Sequence, residues 1–150
     1  MENNSKRSKR LQLVVDLAIA AETQAARNLS EAQRELKFER QRLSDIQSYY
    51  SSYEDRFSKN TKDIRGRDIA NSRVFLSNLE QACQAQAYQL SKSERKVELA
   101  RNQWRKSHLK TDALEAFQEN LANSEQAIED RKEQNLIDDL VNQRGVFTRR

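Results

Sequence analysis

Residues 11–57 read LQLVVDLAIA AETQAARNLS EAQRELKFER QRLSDIQSYY SSYEDRF. Along them Leu11, Val15, Ala18, Glu22, Ala25, Leu29, Ala32, Leu36, Glu39, Leu43, Ile46, Tyr50, Tyr53 and Phe57 follow one another at spacings that alternate strictly between four and three, and twelve of the fourteen are apolar. A repeat of 3.5 residues keeps one face of a helix turned toward a partner helix along its whole length, so the stretch predicts the seam of a coiled coil. At 1.5 Å of rise per residue the helix is roughly 70 Å long, too long to pack into a globule of this chain length.

The rest of the composition agrees. Of 150 residues 33% are charged, 36% are hydrophobic, none is proline and two are glycine, the balance of a long helix with a narrow apolar stripe. The net charge of +4 comes from 27 Lys and Arg against 23 Asp and Glu; so small an excess does not point to a specific nucleic-acid partner. The one cysteine, Cys83, cannot close an internal disulfide, which fits a reducing compartment. Near the N-terminus, Lys6, Arg7, Lys9 and Arg10 precede Leu11 to Ala21 and superficially suggest a secretion signal. Asp16 interrupts the apolar run, however, and the heptad phase passes through the supposed cleavage site at Ala18-Ile19-Ala20, so the segment reads as coil. No run of 18 apolar residues is present, and no transmembrane helix is expected.

Between Phe57 and Val74 the pattern stops. The intervening segment holds Gly66, whose unrestricted backbone suits a reversal, and Asp68, Asn71 and Ser72, which are suited to cap a new helix. Seam spacing then resumes at Leu76, Leu79, Cys83, Gln86, Leu90, Ser93, Val97, Ala100, Trp104 and Ser107, and after a phase slip near Thr111 it continues at Leu114, Phe117, Leu121 and Ile128. The expected fold is all-α: an antiparallel two-helix coiled-coil hairpin with a longer, overhanging second helix. It forms one coiled-coil domain over 1–150, with helix 1 at about 5–58, a turn at about 59–71 and helix 2 at about 72–143. If the chain reverses near Gly66, residues whose numbers sum to about 132 lie side by side. Phe57 then meets Phe75, Tyr53 meets Leu79, Leu43 meets Leu90 and Leu36 meets Val97, while Ala25 and Leu29 leave room for Trp104. Ala18, Val15 and Leu11 face Leu114, Phe117 and Leu121. A parallel homodimer is the structural alternative.

Two surfaces exceed what one seam needs. Beyond about Ser124 the second helix has no intramolecular partner, yet it carries Ile128, Leu136, Ile137, Leu140 and Val141, a stripe suited to docking on another protein. Near the turn, Tyr49 sits beside the seam at Ile46, Tyr50 and Tyr53, while Phe75 and Ala82 sit beside Leu76, Leu79 and Cys83. Aromatic residues outside a seam are typical interface anchors.

No catalytic constellation is legible. His108, the only histidine, lies in Lys106-Ser107-His108-Leu109-Lys110 without a base-and-orienter set and reads as a solvated helix residue. Cys83 at a seam position is a small buried apolar residue. Metal sites would need several His or Cys ligands, and the carboxylates instead alternate with Lys and Arg as a solvated coiled-coil face does. Gly66 and Gly145 are isolated, so there is no phosphate-binding loop. No cofactor, catalytic or metal residue is therefore assigned. Glu22 and Glu39, inside the seam, fix register at some cost in stability.

With these residues in view, a family resemblance emerges. Leu17-Ala18, Glu22, the run Ala25-Ala26-Arg27-Asn28-Leu29, Tyr49 and Tyr53 four apart, Phe75 with Leu79-Glu80, and Lys96-Val97-Glu98-Leu99-Ala100 followed by Trp104-Arg105 resemble the flagellar type III export protein family FliJ in order and spacing across nearly the whole chain. The resemblance implies a non-enzymatic cytoplasmic hairpin, peripheral to the inner membrane and similar to the central stalk of rotary ATPases. Its open end, with Leu11, Leu13, Val14, Ile128, Leu136, Ile137, Leu140 and Val141, would enter the hexameric ring of the export ATPase FliI and promote its assembly and hydrolysis. Arg42, Ile46, Tyr49, Tyr53, Phe75, Leu79, Ala82 and Gln86 would contact the export gate protein FlhA. Arg42 and Gln86 depart from the family's pattern at the edges of that patch. Export chaperones are further implied partners, and the chain alone would be a monomer. Basic residues of the open end, Lys6, Arg7, Lys9, Arg10, Arg144, Arg149 and Arg150, would meet acidic groups of the ring or nearby anionic lipid. Competing readings are the equivalent stalk of an injectisome, a homodimeric coiled-coil scaffold, and a nucleic-acid or membrane-surface binder working through the basic N-terminus.

Overall fold

The computed structural model describes residues 2–59 and 66–148, with side chains over 7–59 and 66–146, and every described residue is helical. Helix α1 spans Glu2–Lys59 and helix α2 spans Gly66–Thr148. The absence of proline and the scarcity of glycine leave nothing to break either helix. Arg56 and Lys59 close the last turn of α1, and Asp68 lies in the first turn of α2. Each is placed to oppose the partial charge of its helix end.

The second helix starts earlier than the caps suggest. Gly66 is its first residue, and no described glycine has a positive φ. Asp68 therefore acts as a first-turn acid rather than a cap, and Asn71 and Ser72 lie inside the helix. The remainder of the expected reversal, residues 60–65, lies outside the described residues, as do the side chains of Lys6, Arg149 and Arg150.

The two helices pack against each other and divide into two compact units, Met1–Thr23 with Lys106–Arg150, and Gln24–Arg105. In the unit of Gln24–Arg105 the strands of the seam run antiparallel: Glu35 pairs with Lys96, Glu39 with Gln86, and Tyr53 with Phe75. Ala25 and Val97 are buried, and Leu29, Ala32, Leu36, Leu43, Ile46, Tyr50, Tyr53 and Phe57 are half-buried, while the positions between them face solvent. Leu36 and Val97 line one open groove of about 290 Å³ together with Arg40, Arg101 and Arg105. Phe75 meets Tyr53, one turn from the Phe57 partner that volume matching suggests.

In the unit of Met1–Thr23 with Lys106–Arg150 the pairing is again antiparallel. Ser8 bonds to Glu125, Gln12 to Gln118, and Glu22 to His108. Val15 and Ala18 are its buried apolar residues, and Thr111 is buried as well. The expected slip near Thr111 does not occur. From Ser107 the shielded positions run Ser107, Thr111, Leu114, Gln118, Leu121, Glu125 at uninterrupted three-four spacing, whereas Phe117 is 58% exposed and Ile128 48%. An undistorted α-helix keeps its phase, and placing Phe117 on the seam would require local overwinding that the polar pairs make unnecessary.

No helix among the described residues is long and apolar enough to cross a membrane.

Candidate partner-binding surfaces

The aromatic surface is built by two helices of the Gln24–Arg105 unit. Tyr49 and Tyr53, one turn apart on α1, both reach Phe75 of α2: the Tyr53 and Phe75 ring centroids are 4.5 Å apart, and Tyr49 meets Phe75 edge-on at 6.3 Å. Such contacts hold the rings in place beyond simple area burial. Tyr53 is shielded, yet Tyr49 remains 58% exposed and Phe75 sits at the edge of exposure. Ile46 and Leu79 are half-buried beside them, and Arg42 and Ala82 are exposed. Gln86 faces inward: it is buried and donates to the Glu39 backbone carbonyl at 3.1 Å and to the Glu39 carboxylate. Of the eight residues carried over for this patch, three rings thus form one cluster and Gln86 is engaged in the seam.

The polar layer of the other unit was not legible from apolar spacing. Glu22, a seam residue, lies 2.7 Å from His108 Nδ1, and His108 Nε2 lies 3.4 Å from the Asp112 carboxylate one turn on. His108 is therefore a partner of the seam while its side chain remains 44% exposed. The Glu22 carboxylate, and then Asp112, raise the His108 pKa above its usual value, against some desolvation. The same contact with His108 holds Glu22 below the ordinary carboxylate range, again against desolvation. Thr111 donates to the Ser107 carbonyl at 2.9 Å, which satisfies its hydroxyl within the helix. The signal that finds this layer is the three-four spacing continued through polar residues, matched by polar seam residues on α1.

The third surface is the C-terminal part of α2. All described side chains from 126 to 146 are exposed, including Ile128, Leu136 at 63%, Ile137, Leu140 and Val141. On α1 of the same unit Leu11 is half-buried in the seam, whereas Leu13 and Val14 are exposed. Leu17, exposed to 64%, extends that outer stripe and was not among the residues expected there. Isolated exposed aliphatics are ordinary, but a contiguous stripe is the mark of an interaction site.

Among the described residues no group of three or more His, Cys, Asp or Glu side chains is arranged to hold a metal ion. Cys83 is half-buried on the seam. The fold is an all-α helical hairpin that carries exposed apolar and aromatic stripes. The model of the flagellar FliJ protein family matches residues 7–149. The chain belongs to the FliJ family, and with it to the protein transport of flagellar type III export. Neither a curated protein nor a solved structure gives a significant match.

Proposed function

We propose that the chain is a non-enzymatic stalk of the flagellar export apparatus, which binds the ring of the export ATPase FliI, promotes its assembly and hydrolysis, and links it to the export gate protein FlhA and to export chaperones. It acts in the cytoplasm, peripheral to the inner membrane. The observation that carries this reading is the stripe Ile128, Leu136, Ile137, Leu140 and Val141, exposed on a helix that continues beyond its pairing with α1, in a chain of the FliJ family. Together with Leu11, Leu13 and Val14 it forms the ATPase-binding end. Burying four or five aliphatic side chains stabilises a complex by up to about 1.5–3 kcal/mol each before the costs of association.

The Tyr49, Tyr53 and Phe75 cluster, with Arg42, Ile46, Leu79 and Ala82, forms the gate-binding patch; Gln86, assigned to the same patch, is bonded to Glu39 in the seam. Rigid aromatic anchors with part of each ring exposed are suited to this role, because little side-chain entropy is lost on docking.

The test is ATP hydrolysis by the export ATPase of the same organism, with and without the chain, comparing the full chain with one ending at Ser124. Stimulation by the full chain alone supports the stalk reading and assigns the ring contact to the overhanging helix. Absence of stimulation by a folded full chain would overturn it.

A further inference from the structure

The outer face of α1 and the overhanging part of α2 carry matching patterns. On α1, Arg7, Arg10, Val14 and Leu17 follow at spacings of three, four and three, and all four side chains are exposed. On α2, Asp130, Glu133, Ile137 and Leu140 follow at the same spacings, and all four are exposed. Residues at three and four apart share one helix face. The first face therefore reads basic, basic, apolar, apolar, and the second acidic, acidic, apolar, apolar.

Laid side by side in the same direction, the two faces pair Arg7 with Asp130, Arg10 with Glu133, Val14 with Ile137 and Leu17 with Leu140. Laid in opposite directions, they set guanidinium groups against aliphatic side chains, so only the parallel arrangement is complementary. Within one chain that arrangement is out of reach. There α1 and α2 run antiparallel, with Ser8 held to Glu125 and Gln12 to Gln118, and α2 continues to Thr148 in the direction opposite to α1, past its first described residue, Glu2. In a second copy approaching with its open end foremost, α1 runs in the direction of the first copy's overhang. Two-fold symmetry then forms the same contact twice.

We infer that a second copy of this chain covers the overhang: in a symmetric dimer, Asp130, Glu133, Ile137 and Leu140 of each copy pack in parallel along Arg7, Arg10, Val14 and Leu17 of the other. In place of the monomer that a self-contained hairpin suggests, the free chain self-associates through its open ends. The aliphatic rungs supply burial, and the charged rungs select the parallel direction and the register. The inference goes beyond the stalk reading and does not depend on it. Where both hold, the dimer covers part of the surface that meets the ATPase, so self-association and ring binding exclude each other.

Sedimentation equilibrium of the full chain tests this. A dimer is expected, and Ile137→Asn with Leu140→Asn, both on the exposed face, should convert it to a monomer with unchanged helix content by circular dichroism. Two charge-reversed variants provide the stricter test. Arg7→Glu with Arg10→Glu, and Asp130→Arg with Glu133→Arg, should each raise the dimer dissociation constant by at least ~10-fold. Mixed in equal amounts they should form a heterodimer, since both of its contacts then pair opposite charges. A full chain that stays monomeric at high concentration would overturn the inference, as would reversed variants that dimerise alone or fail to combine. ATPase stimulation by the Asp130→Arg with Glu133→Arg variant, whose two residues lie outside the ATPase-binding set, reads the stalk function separately.

Discussion

The two compact units use the same helices and the same repeat but fill their seams differently. In the unit of Gln24–Arg105 the shielded positions are mainly Leu, Ile, Val, Ala and aromatic rings, with Glu39 and Gln86 as an internal polar pair. In the unit of Met1–Thr23 with Lys106–Arg150, polar groups meet at Ser8 with Glu125, Gln12 with Gln118 and Glu22 with His108, interleaved with the shielded apolar side chains Leu11, Val15, Ala18, Leu114 and Leu121. Apolar layers give stability with little choice of register, whereas polar layers fix register at the expense of stability. The first arrangement favours rigidity, and the second favours a fixed register at lower stability.

The largest effect expected from this difference comes from interrupting the thin apolar layer. Val15→Asn introduces an amide where a buried valine stood and should cost about 2–3 kcal/mol. Because the neighbouring layers are polar, the loss should be local. Amide hydrogen exchange should accelerate across residues 8–23 and 108–125 while residues 24–57 and 76–105 stay protected. Equal acceleration in both units would show a single cooperative seam and break the comparison.

A smaller effect on stability, but a specific one on function, is expected from the aromatic cluster. Tyr49→Ala with Phe75→Ala removes the edge-on contact and the exposed ring surface, and should destabilise the unit by about 1–3 kcal/mol. Motility of cells carrying the variant should fall while stimulation of the ATPase persists. Loss of both in a folded variant would contradict the separation of gate-binding and ATPase-binding surfaces.

How much of this was readable in the sequence depends on how the seam is filled. All fourteen α1 positions picked by spacing are shielded, and so are the α2 positions from Leu76 to Ser107, because a strict four-three alternation on a helix without proline leaves only one face to bury. Beyond Ser107 the reading followed apolar residues to Phe117 and Ile128, and the structure instead shields Gln118 and Glu125. A hydrophobicity signal is silent where polar groups satisfy each other across the seam. For the same reason the pairing of His108 was not legible, since its partner Glu22 is 86 residues away in the chain. The exposed Tyr49 and Phe75 were legible as aromatics beside the seam, and Gln86 as a seam position; its partner Glu39, 47 residues away in the chain, was not, because Gln suits a surface and a seam equally well.

The smallest effect, and the one that most sharpens the contrast, is the pH dependence of the polar layer. His108 has its pKa raised by Glu22 and Asp112, so its contribution is present in full below the usual histidine value of 6.5 and is lost as pH rises through the elevated value in the folded chain. Glu22 has its pKa lowered by His108, so its contribution is present above the usual 4.5 and is lost as pH falls through the depressed value. The two conditions overlap between 4.5 and 6.5, and the pair is strongest there. Glu115 adds to the field that favours the protonated ring. Thermal unfolding followed by circular dichroism should therefore show this layer contributing most in that window and weakening toward alkaline pH. His108→Gln keeps a hydrogen-bonding group at the same seam position but cannot carry the charge, so it should flatten the profile while altering the stability at alkaline pH little. Both carboxyl-bearing groups on α2 that face the ring lie within the helix turns around His108 and persist in the variant, so any pH dependence that remains belongs to them. A profile unchanged by the substitution would place the titration elsewhere, and the seam of this unit would then be held by shape and not by charge.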